Sequence, residues 1–325
     1  MRFHPGVLLA LSIGLAGLES CVGQPPPHAA SCQAWLPAMD VPSSVSLTDN
    51  RGLLVVGGPD SPTMTMATWQ WSGACWTERN KTDTPSRSLP ALANDPSGKG
   101  IVLYGGWDTQ VLDSYVGRYE TWAFRDANWT QMSFQSSPKL DGPSAVNVGA
   151  SVLVVGAGPS ELEESWLLTT SGWVQRHPTH APSRRFDPSL AKDPSTGNVV
   201  MYGGATQLPN TIVTDTWVWD GSDWRMIGDS LHSGSYPVAG LLAADHHSVF
   251  LFAFDPISRQ VEVWRLLQGQ WNRVRAPSSP KVIDFSVAFD GTRILLFGGL
   301  DESTHPGDFS TAEWSWDGSH WTRLH

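Results

Sequence analysis

A tryptophan pair that recurs six times constrains the fold of this chain more than any other feature. The two tryptophans of each pair are seven positions apart, and the first members of successive pairs lie between 44 and 53 residues from one another. The pairs are Trp69 and Trp76, Trp122 and Trp129, Trp166 and Trp173, Trp217 and Trp224, Trp264 and Trp271, and Trp314 and Trp321. A period of about 50 residues is typical of arrays that form one four-stranded sheet per repeat. The spacing therefore predicts six such sheets.

The fourth repeat shows the pattern of strands most clearly. A short strand at 188–191 leads through a turn into the apolar run 199–204, which ends in two glycines that allow close backbone packing. The segment 216–219 then alternates tryptophan with smaller residues, as a strand with two different faces does. The tight turn 220–223 separates it from the strand that begins at Trp224. Each repeat is thus predicted to contain four antiparallel strands.

A diglycine, a loop, the triplet Asp215-Thr216-Trp217 and a second tryptophan seven residues later resemble the signature of Kelch-repeat proteins. The segments Pro85–Arg87 and Pro182–Arg184 are similar to the loops that introduce Kelch blades. The resemblance covers residues 41–325, and the chain as a whole is similar to bacterial Kelch-repeat lipoproteins. It implies an all-β fold, a six-bladed Kelch-type β-propeller of four-stranded antiparallel blades.

The first forty residues differ from the repeats. Residues 1–20, with Arg2 and an apolar run at 7–18, have the layout of a signal peptide, and 21–40 form a proline-rich leader before the propeller at 41–325. Leu18-Glu19-Ser20-Cys21 resembles a bacterial lipobox, which predicts lipidation of Cys21. We therefore expect an exported outer-membrane or cell-surface lipoprotein that meets the membrane only through its lipid anchor. Ordinary cleavage nearby, giving a periplasmic or secreted protein, is the alternative.

Two further cysteines remain if Cys21 is lipidated. Cys32 and Cys75 would then lie in a compartment where disulfides persist. We predict a bridge between them that ties the leader to the first repeat. The alternative is a pair of buried free thiols.

Charge and motif content limit the classes of ligand. The chain has 21 Lys and Arg against 31 Asp and Glu, a formal net charge of −10, which repels nucleic acid and anionic lipid. His177 and His180, with His246 and His247, lack the cysteine or carboxylate neighbours of a metal site, so we expect neither metal nor cofactor. A protein or glycan partner at the cell surface is the remaining prediction, for a monomeric propeller.

Loop lengths predict which face carries the binding site. In a four-stranded blade, the connections from the second to the third strand and from blade to blade emerge on one face, and here they are the long ones. The binding candidates on these connections are Arg87, Trp107, Asp108, Tyr115, His177, His180, Arg184, Arg185, Asp301 and His305. Arg184 and Arg185 suit a bidentate carboxylate contact, or else are solvated or packed between blades. Trp107 and Tyr115 either stack on a sugar or peptide or fold onto their own blade.

Two functional hypotheses follow. The first is a cell-envelope binding module that presents its loops to a partner, and no catalytic residue is assigned under it. The second is an enzyme with a site at the channel mouth, acting on carbohydrate, which requires acidic residues of separate loops to converge in three dimensions as a pair for glycoside cleavage. The acids considered are Asp108, Glu161, Glu163, Glu164, Asp301 and Glu302. Of these, Glu161, Glu163 and Glu164 are interpreted first as a solvated loop.

Overall fold

The computed structural model describes most of residues 32–325. The described ranges are 32–37, 39, 42–47, 52–57, 66–80, 84–108, 116–206, 211–228, 232–233, 236–237, 240–303 and 308–325. The predicted signal peptide, Cys21, Tyr115 and His305 lie outside them. Within these ranges every regular element is a β-strand, and there is no helix long and apolar enough to cross a membrane.

The strands form six antiparallel four-stranded sheets arranged in a ring, which confirms the predicted six-bladed β-propeller. In chain order the blades are Ser43–Ser46, Leu53–Gly57, Ala67–Trp71 and Trp76–Asn80; Ala91–Asn94, Ile101–Tyr104, Thr121–Arg125 and Asn128–Met132; Asp141–Val148, Ser151–Ala157, Glu164–Thr169 and Gly172–Arg176; Ser189–Lys192, Val199–Tyr202, Thr216–Trp219 and Trp224–Gly228; Gly240–Ala244, Val249–Asp255, Gln260–Leu267 and Gln270–Val274; and Ser286–Phe289, Ile294–Phe297, Trp314–Trp316 and Trp321–Arg323. Three two-stranded ribbons complete the described elements: Arg87–Ser88 with Trp107–Asp108, His232–Ser233 with Tyr236–Pro237, and Val282–Ile283 with Leu300–Asp301.

Blade 4 shows why the sequence forms these strands. Its second strand, Val199–Tyr202, is buried at every residue because it pairs with a strand on each side and is covered on both faces, so its sequence is continuously apolar. Across the turn between the third and fourth strands, Trp219 pairs with Trp224 at a ring-centroid distance of 5.3 Å. The predicted hairpin is therefore closed by a tilted contact of Trp219 with Trp224, whereas Trp217, the first member of the repeated pair, lies opposite Met226.

The second tryptophan of a pair also joins its blade to the preceding one. In blades 2 to 5 its indole N–H donates to the hydroxyl of the residue that precedes the first tryptophan of the preceding blade. The bonds are Trp129 to Thr68 at 2.8 Å, Trp173 to Thr121 at 3.3 Å, Trp224 to Ser165 at 2.9 Å and Trp271 to Thr216 at 2.8 Å. The threonine of the repeated Thr-Trp dipeptide thus has a structural role, because its hydroxyl accepts the hydrogen bond of an indole N–H that is buried between blades.

Blade 6 lacks this bond, which gives a stability prediction. Val263 occupies the hydroxyl position facing Trp321, and the buried indole nitrogen of Trp321 has no partner. Val263→Thr is expected to raise the free energy of unfolding by about 1 kcal/mol, because it supplies the missing acceptor with little change of shape. The measurement is a urea titration against wild type.

Val154→Thr is the matched control. Val154 is equally buried, but the indoles of its cluster, Trp166 and Trp173, already have acceptors. A hydroxyl there is expected to lower the free energy of unfolding by about 1–2 kcal/mol, since it is buried where no unpaired indole N–H needs an acceptor. Equal losses from the two substitutions would contradict the assigned role of the hydroxyl.

Among the described strands, no blade combines strands from both ends of the chain where the ring closes. Blade 1 is built from the beginning of the repeat region and blade 6 from its end, so closure depends on contacts between two complete sheets. The Trp71 indole donates to Asp290 at 3.2 Å, and the ring of Trp76 meets Phe297 edge-on at 5.8 Å. The Leu36 N–H donates to Glu313, and the Gly299 N–H to the Met39 carbonyl. The residues before blade 1 therefore take part in closure.

Cys32 and Cys75 form a disulfide, with Cα atoms 5.7 Å apart. Beside it, Gln33 and Trp76 exchange backbone hydrogen bonds of 2.8 and 2.9 Å, so the leader is held at the outer strand of blade 1. Cys75→Ser is expected to lower the free energy of unfolding by about 2–4 kcal/mol, because the unfolded chain regains the freedom of the loop. Thiol titration with and without reductant, beside chemical denaturation, measures both the bond and its effect; a titratable thiol pair in the unreduced wild type would contradict it.

Candidate functional site

The two faces of the ring differ in their connections. Turns between first and second strands and between third and fourth strands are short in all six blades, as at 149–150 and 170–171. Most of the other connections are longer, for example 105–120 and 177–188. The exceptions join the second and third strands of blade 3, through the six residues 158–163, and of blade 5, where a tight turn joins Asp255 to Gln260. We call the side with the longer connections the long-connection face and the other the short-turn face.

The blade 2 candidates serve the framework of the protein. Trp107 is only 7% exposed, and its ring lies 6.2 Å from that of Phe186, so it packs between blades rather than facing a ligand. Asp108 is buried and ion-paired with Arg118. Arg87 donates to Glu120 at 3.2 Å. Trp107 was predicted either to stack on a ligand or to fold onto its own blade, and instead it packs against Phe186 of the connection 177–188.

Arg185 makes the bidentate carboxylate contact predicted for the arginine pair, but makes it to the chain's own Asp215. Its side chain is fully buried, and its guanidinium nitrogens lie 2.6 and 3.1 Å from the two oxygens of that carboxylate. Burial raises the pKa of Asp215, and the Arg185 hydrogen bonds and charge more than offset this, so the pKa is lowered overall. Arg184 donates to the Gly158 carbonyl at 2.7 Å and lies over the ring of Phe186. Arg185 is therefore a framework residue.

The remaining candidates do not converge. His180 is exposed, with its Nδ1 2.8 Å from Asp223 in blade 4, and His177 is exposed. Asp301 accepts the Ser303 N–H at 2.6 Å, as in an aspartate-stabilised turn. Tyr115 and His305 lie outside the described residues. Within the described ranges no three His, Cys, Asp or Glu side chains are grouped so as to hold a metal.

The interpretation of the acidic stretch at 161–164 as a solvated loop is wrong for Glu163. Its side chain is 3% exposed, one oxygen accepts the Arg185 backbone N–H at 2.9 Å, and burial raises its pKa to about 8. The connection 177–188 folds back over this stretch, since the Glu163 N–H donates to the Pro182 carbonyl. The sequence did not indicate this burial, because Glu163 lies beside Glu161 and Glu164 in an acidic stretch of the kind that is usually exposed to solvent.

The six first strands line a central channel with two chambers. The chamber at the short-turn face has a volume of about 380 Å³ and the one at the long-connection face about 190 Å³. One residue from each blade lines both chambers and so forms a largely apolar waist: Ser44, Leu92, Ala145, Leu190, Leu242 and Val287. We call the chamber at the long-connection face the upper chamber.

Serine hydroxyls of the upper chamber link neighbouring first strands. Ser144 donates to the Pro188 carbonyl, Ser189 accepts the Leu242 N–H at 2.7 Å, and the Ser44 and Ser286 hydroxyl oxygens are 3.4 Å apart. Each hydroxyl keeps further acceptor or donor capacity after one such bond. The chamber wall therefore offers polar groups above an apolar floor.

The rim of the upper chamber has an unusual backbone conformation. Four residues there have φ between 50° and 54°: Leu89, Gly142, Asp187 and Asp284. Each lies two residues before a residue of the first strand of its blade, in blades 2, 3, 4 and 6 respectively. Glycine, asparagine and aspartate tolerate this left-handed region better than other residues. The fold thus requires the conformation, but Leu89 shows that it does not require a carboxylate.

Asp187 is the functional candidate that sequence reasoning missed. It lines the upper chamber, its side chain makes no hydrogen bond or ion pair with a described residue, and burial raises its pKa to about 6. In the sequence it belongs to an Asp-Pro pair, which is typical of turns. The available signal was positional: Asp187-Pro188 corresponds to Leu89-Pro90 and Gly142-Pro143 in the neighbouring repeats.

Comparison with known proteins identifies the fold alone. No protein-family model and no curated protein matches the sequence. The solved structure of a protein named YjhT is similar, with a TM-score of 0.64 over 90% of this chain and 99% of that one, at 10% sequence identity. The similarity agrees with the six-bladed ring, and at this identity it carries no information on activity.

Proposed function

We propose that this chain is an exported Kelch-type binding module of the cell envelope that presents its long-connection face to a protein or glycan partner. The observation that carries the proposal is the upper chamber. It opens at the centre of the face that bears the longer connections, and it combines serine hydroxyls, an apolar floor and the Asp187 carboxylate. Concave sites with a few polar groups over an apolar surface are the usual form of a ligand site.

The same chamber favours binding over the enzymatic hypothesis. Acid–base catalysis on a sugar needs two ionisable groups directed at one reacting position. Among the described residues that line the upper chamber, Asp187 alone is ionisable. Two of the three arginine candidates of this face, Arg87 and Arg185, are ion-paired with Glu120 and Asp215.

A capture experiment with a matched pair of variants tests the proposed face. The purified protein is screened against glycan arrays and envelope extracts beside His177→Ala/Arg184→Ala, which alters the long connection 177–188. The control, His247→Ala/Arg225→Ala, removes the same side-chain types where both are exposed, in a first-to-second strand turn and on an outer strand. Saturable capture lost only in the first variant supports the proposal. Capture lost only in the control, or absent from wild type, contradicts it.

Export with lipidation at Cys21 is part of the proposal. The Cys32–Cys75 disulfide supports export, because such bonds are typical of oxidising compartments outside the cytosol. The full-length protein is expected in the membrane fraction, and Cys21→Ala in the soluble fraction, since an acyl anchor contributes about 0.8 kcal/mol per buried methylene. If the full-length protein and Cys21→Ala divided equally between the membrane and soluble fractions, lipidation would be contradicted and secretion would be left as the mode of export.

A further inference from the structure

The Asp187 carboxylate is positioned by its surroundings without being neutralised by them. The Asp187 N–H donates to the Gly142 carbonyl at 2.8 Å, and one carboxylate oxygen packs so closely on Gly142 that a Cβ there would lie 2.9 Å from it. The side chain is therefore held at the chamber wall by contacts that leave its oxygens available for a ligand.

Charged groups near Asp187 are paired elsewhere. On its own connection Arg185 is bound to Asp215, and Arg184 donates to a carbonyl and covers the ring of Phe186. On the packed blade 3 segment Asp141 accepts the Tyr119 hydroxyl at 2.9 Å. No cationic side chain is among the described residues of the upper chamber, so the chain offers Asp187 no counterion there.

An unneutralised carboxylate in this position destabilises the free protein above its pKa. Burial raises the pKa of Asp187 to about 6, so its ionised form opposes folding at neutral pH, and this effect vanishes as the pH falls and the group is protonated. Groups that cost stability in the free protein are commonly those that meet a ligand. This supports the geometric argument from the chamber.

The chemistry of the chamber selects a small cation. A carboxylate is complemented by an ammonium group, and the net charge of −10 draws cations toward the protein. The volume of about 190 Å³ admits one small group, whose methylenes or ring would pack on Leu92, Leu190 and Leu242 of the waist. The hydroxyl oxygens of Ser144 and Ser189, on the first strands of blades 3 and 4, keep lone pairs that can accept its remaining N–H donors.

We propose that the upper chamber binds a primary ammonium group, with the Asp187 carboxylate as its anionic partner. The inference rests on the proposed binding role of the long-connection face and specifies the chemistry recognised at its centre. A lysine side chain of a protein partner and an amino sugar of a glycan present this same group, and the experiment distinguishes the two sources.

Calorimetric titration of the mature protein with two amines tests the proposal. The probes are Nα-acetyl-lysine methylamide and glucosamine, and their neutral counterparts are the Nε-acetylated lysine derivative and N-acetylglucosamine. At about pH 8 at least one amine is expected to bind saturably and its acetylated counterpart at least about tenfold more weakly, because acetylation removes the charge. The amine that binds more tightly identifies the source.

Asp187→Asn and Asp284→Asn form the matched pair of variants. Asparagine tolerates the left-handed conformation as aspartate does, so both should fold. Asp187→Asn is expected to weaken amine binding by about tenfold or more, whereas Asp284→Asn, at the equivalent but exposed position of blade 6, leaves it unchanged. Wild-type binding should weaken from about pH 8 to pH 5 as Asp187 is protonated.

Protein stability supplies a readout that needs no ligand. The thermal midpoint of Asp187→Asn is expected above that of wild type at about pH 8, and the two midpoints should converge near pH 4, where Asp187 is protonated. Amine binding unchanged by Asp187→Asn, or no amine binding at all, overturns the inference. The proposed function still stands in that case if envelope capture is retained and depends on His177 and Arg184, and falls with it if capture is absent.

Discussion

Removal of blade 6 by truncation before Val282 is expected to abolish cooperative folding rather than to shorten the array by one unit. A ring has no terminal caps, so the truncation exposes the inner surfaces of blades 1 and 5 together. The surface uncovered on blade 1 includes Trp71 and Trp76, which are 2% and 0% exposed. Each large buried side chain contributes about 1.5–3 kcal/mol, so losing several equals the whole stability of a typical domain.

Differential scanning calorimetry and near-ultraviolet circular dichroism measure this effect. The truncated chain is expected to show no cooperative transition and to aggregate through its exposed tryptophans. Removal of the exposed terminal His325 alone is the control and should leave the transition in place. A soluble truncated chain that melts cooperatively would show that the ring contacts between blades 1 and 6 are dispensable.

Replacement of Arg185 by alanine is expected to lower the free energy of unfolding by about 3–5 kcal/mol, the second largest effect. The substitution leaves the Asp215 carboxylate without the guanidinium that neutralises it, and also removes the bonds to the Gly203 and Ser183 carbonyls. Breaking such an ion pair from one side costs more than the pair is worth, because the remaining Asp215 carboxylate stays largely buried, with 21% of its side chain exposed.

Arg87→Ala is the matched control, because Arg87 meets Glu120 at the position that Asp215 holds in blade 4. The Arg87 and Glu120 side chains are 11% and 31% exposed, whereas those of Arg185 and Asp215 are 0% and 21% exposed, so solvent compensates more of the loss in the control. We expect Arg87→Ala to lower the free energy of unfolding, measured by urea denaturation, by about 1 kcal/mol. Equal losses at the two positions would contradict the dependence on burial.

The arginine comparison also shows the limit of sequence reasoning about sites. Residue type predicted that Arg185 would grip a carboxylate in bidentate fashion, and this is the geometry observed. Sequence did not reveal that the carboxylate is Asp215, thirty positions away, because that pairing depends on how the connection 177–188 crosses the blade. Trp107 is similar: an aromatic residue in a long connection suits a ligand, but the contact with Phe186 buries it.

What the sequence determined by itself was the repeating architecture: six blades, the order of strands within each, and the hairpin of third and fourth strands that carries each tryptophan pair. These features are encoded by local patterns of burial and turn residues, and six copies of the pattern reinforce one another. Only the tertiary structure decided the partners of Arg185, the burial of Glu163 and the position of Asp187 on the chamber wall. The first two properties arise because the connection 177–188 folds back over neighbouring segments, and the third because closing the ring brings one short strand from every blade to a common axis. Spacing along the chain does not show which side chains then meet.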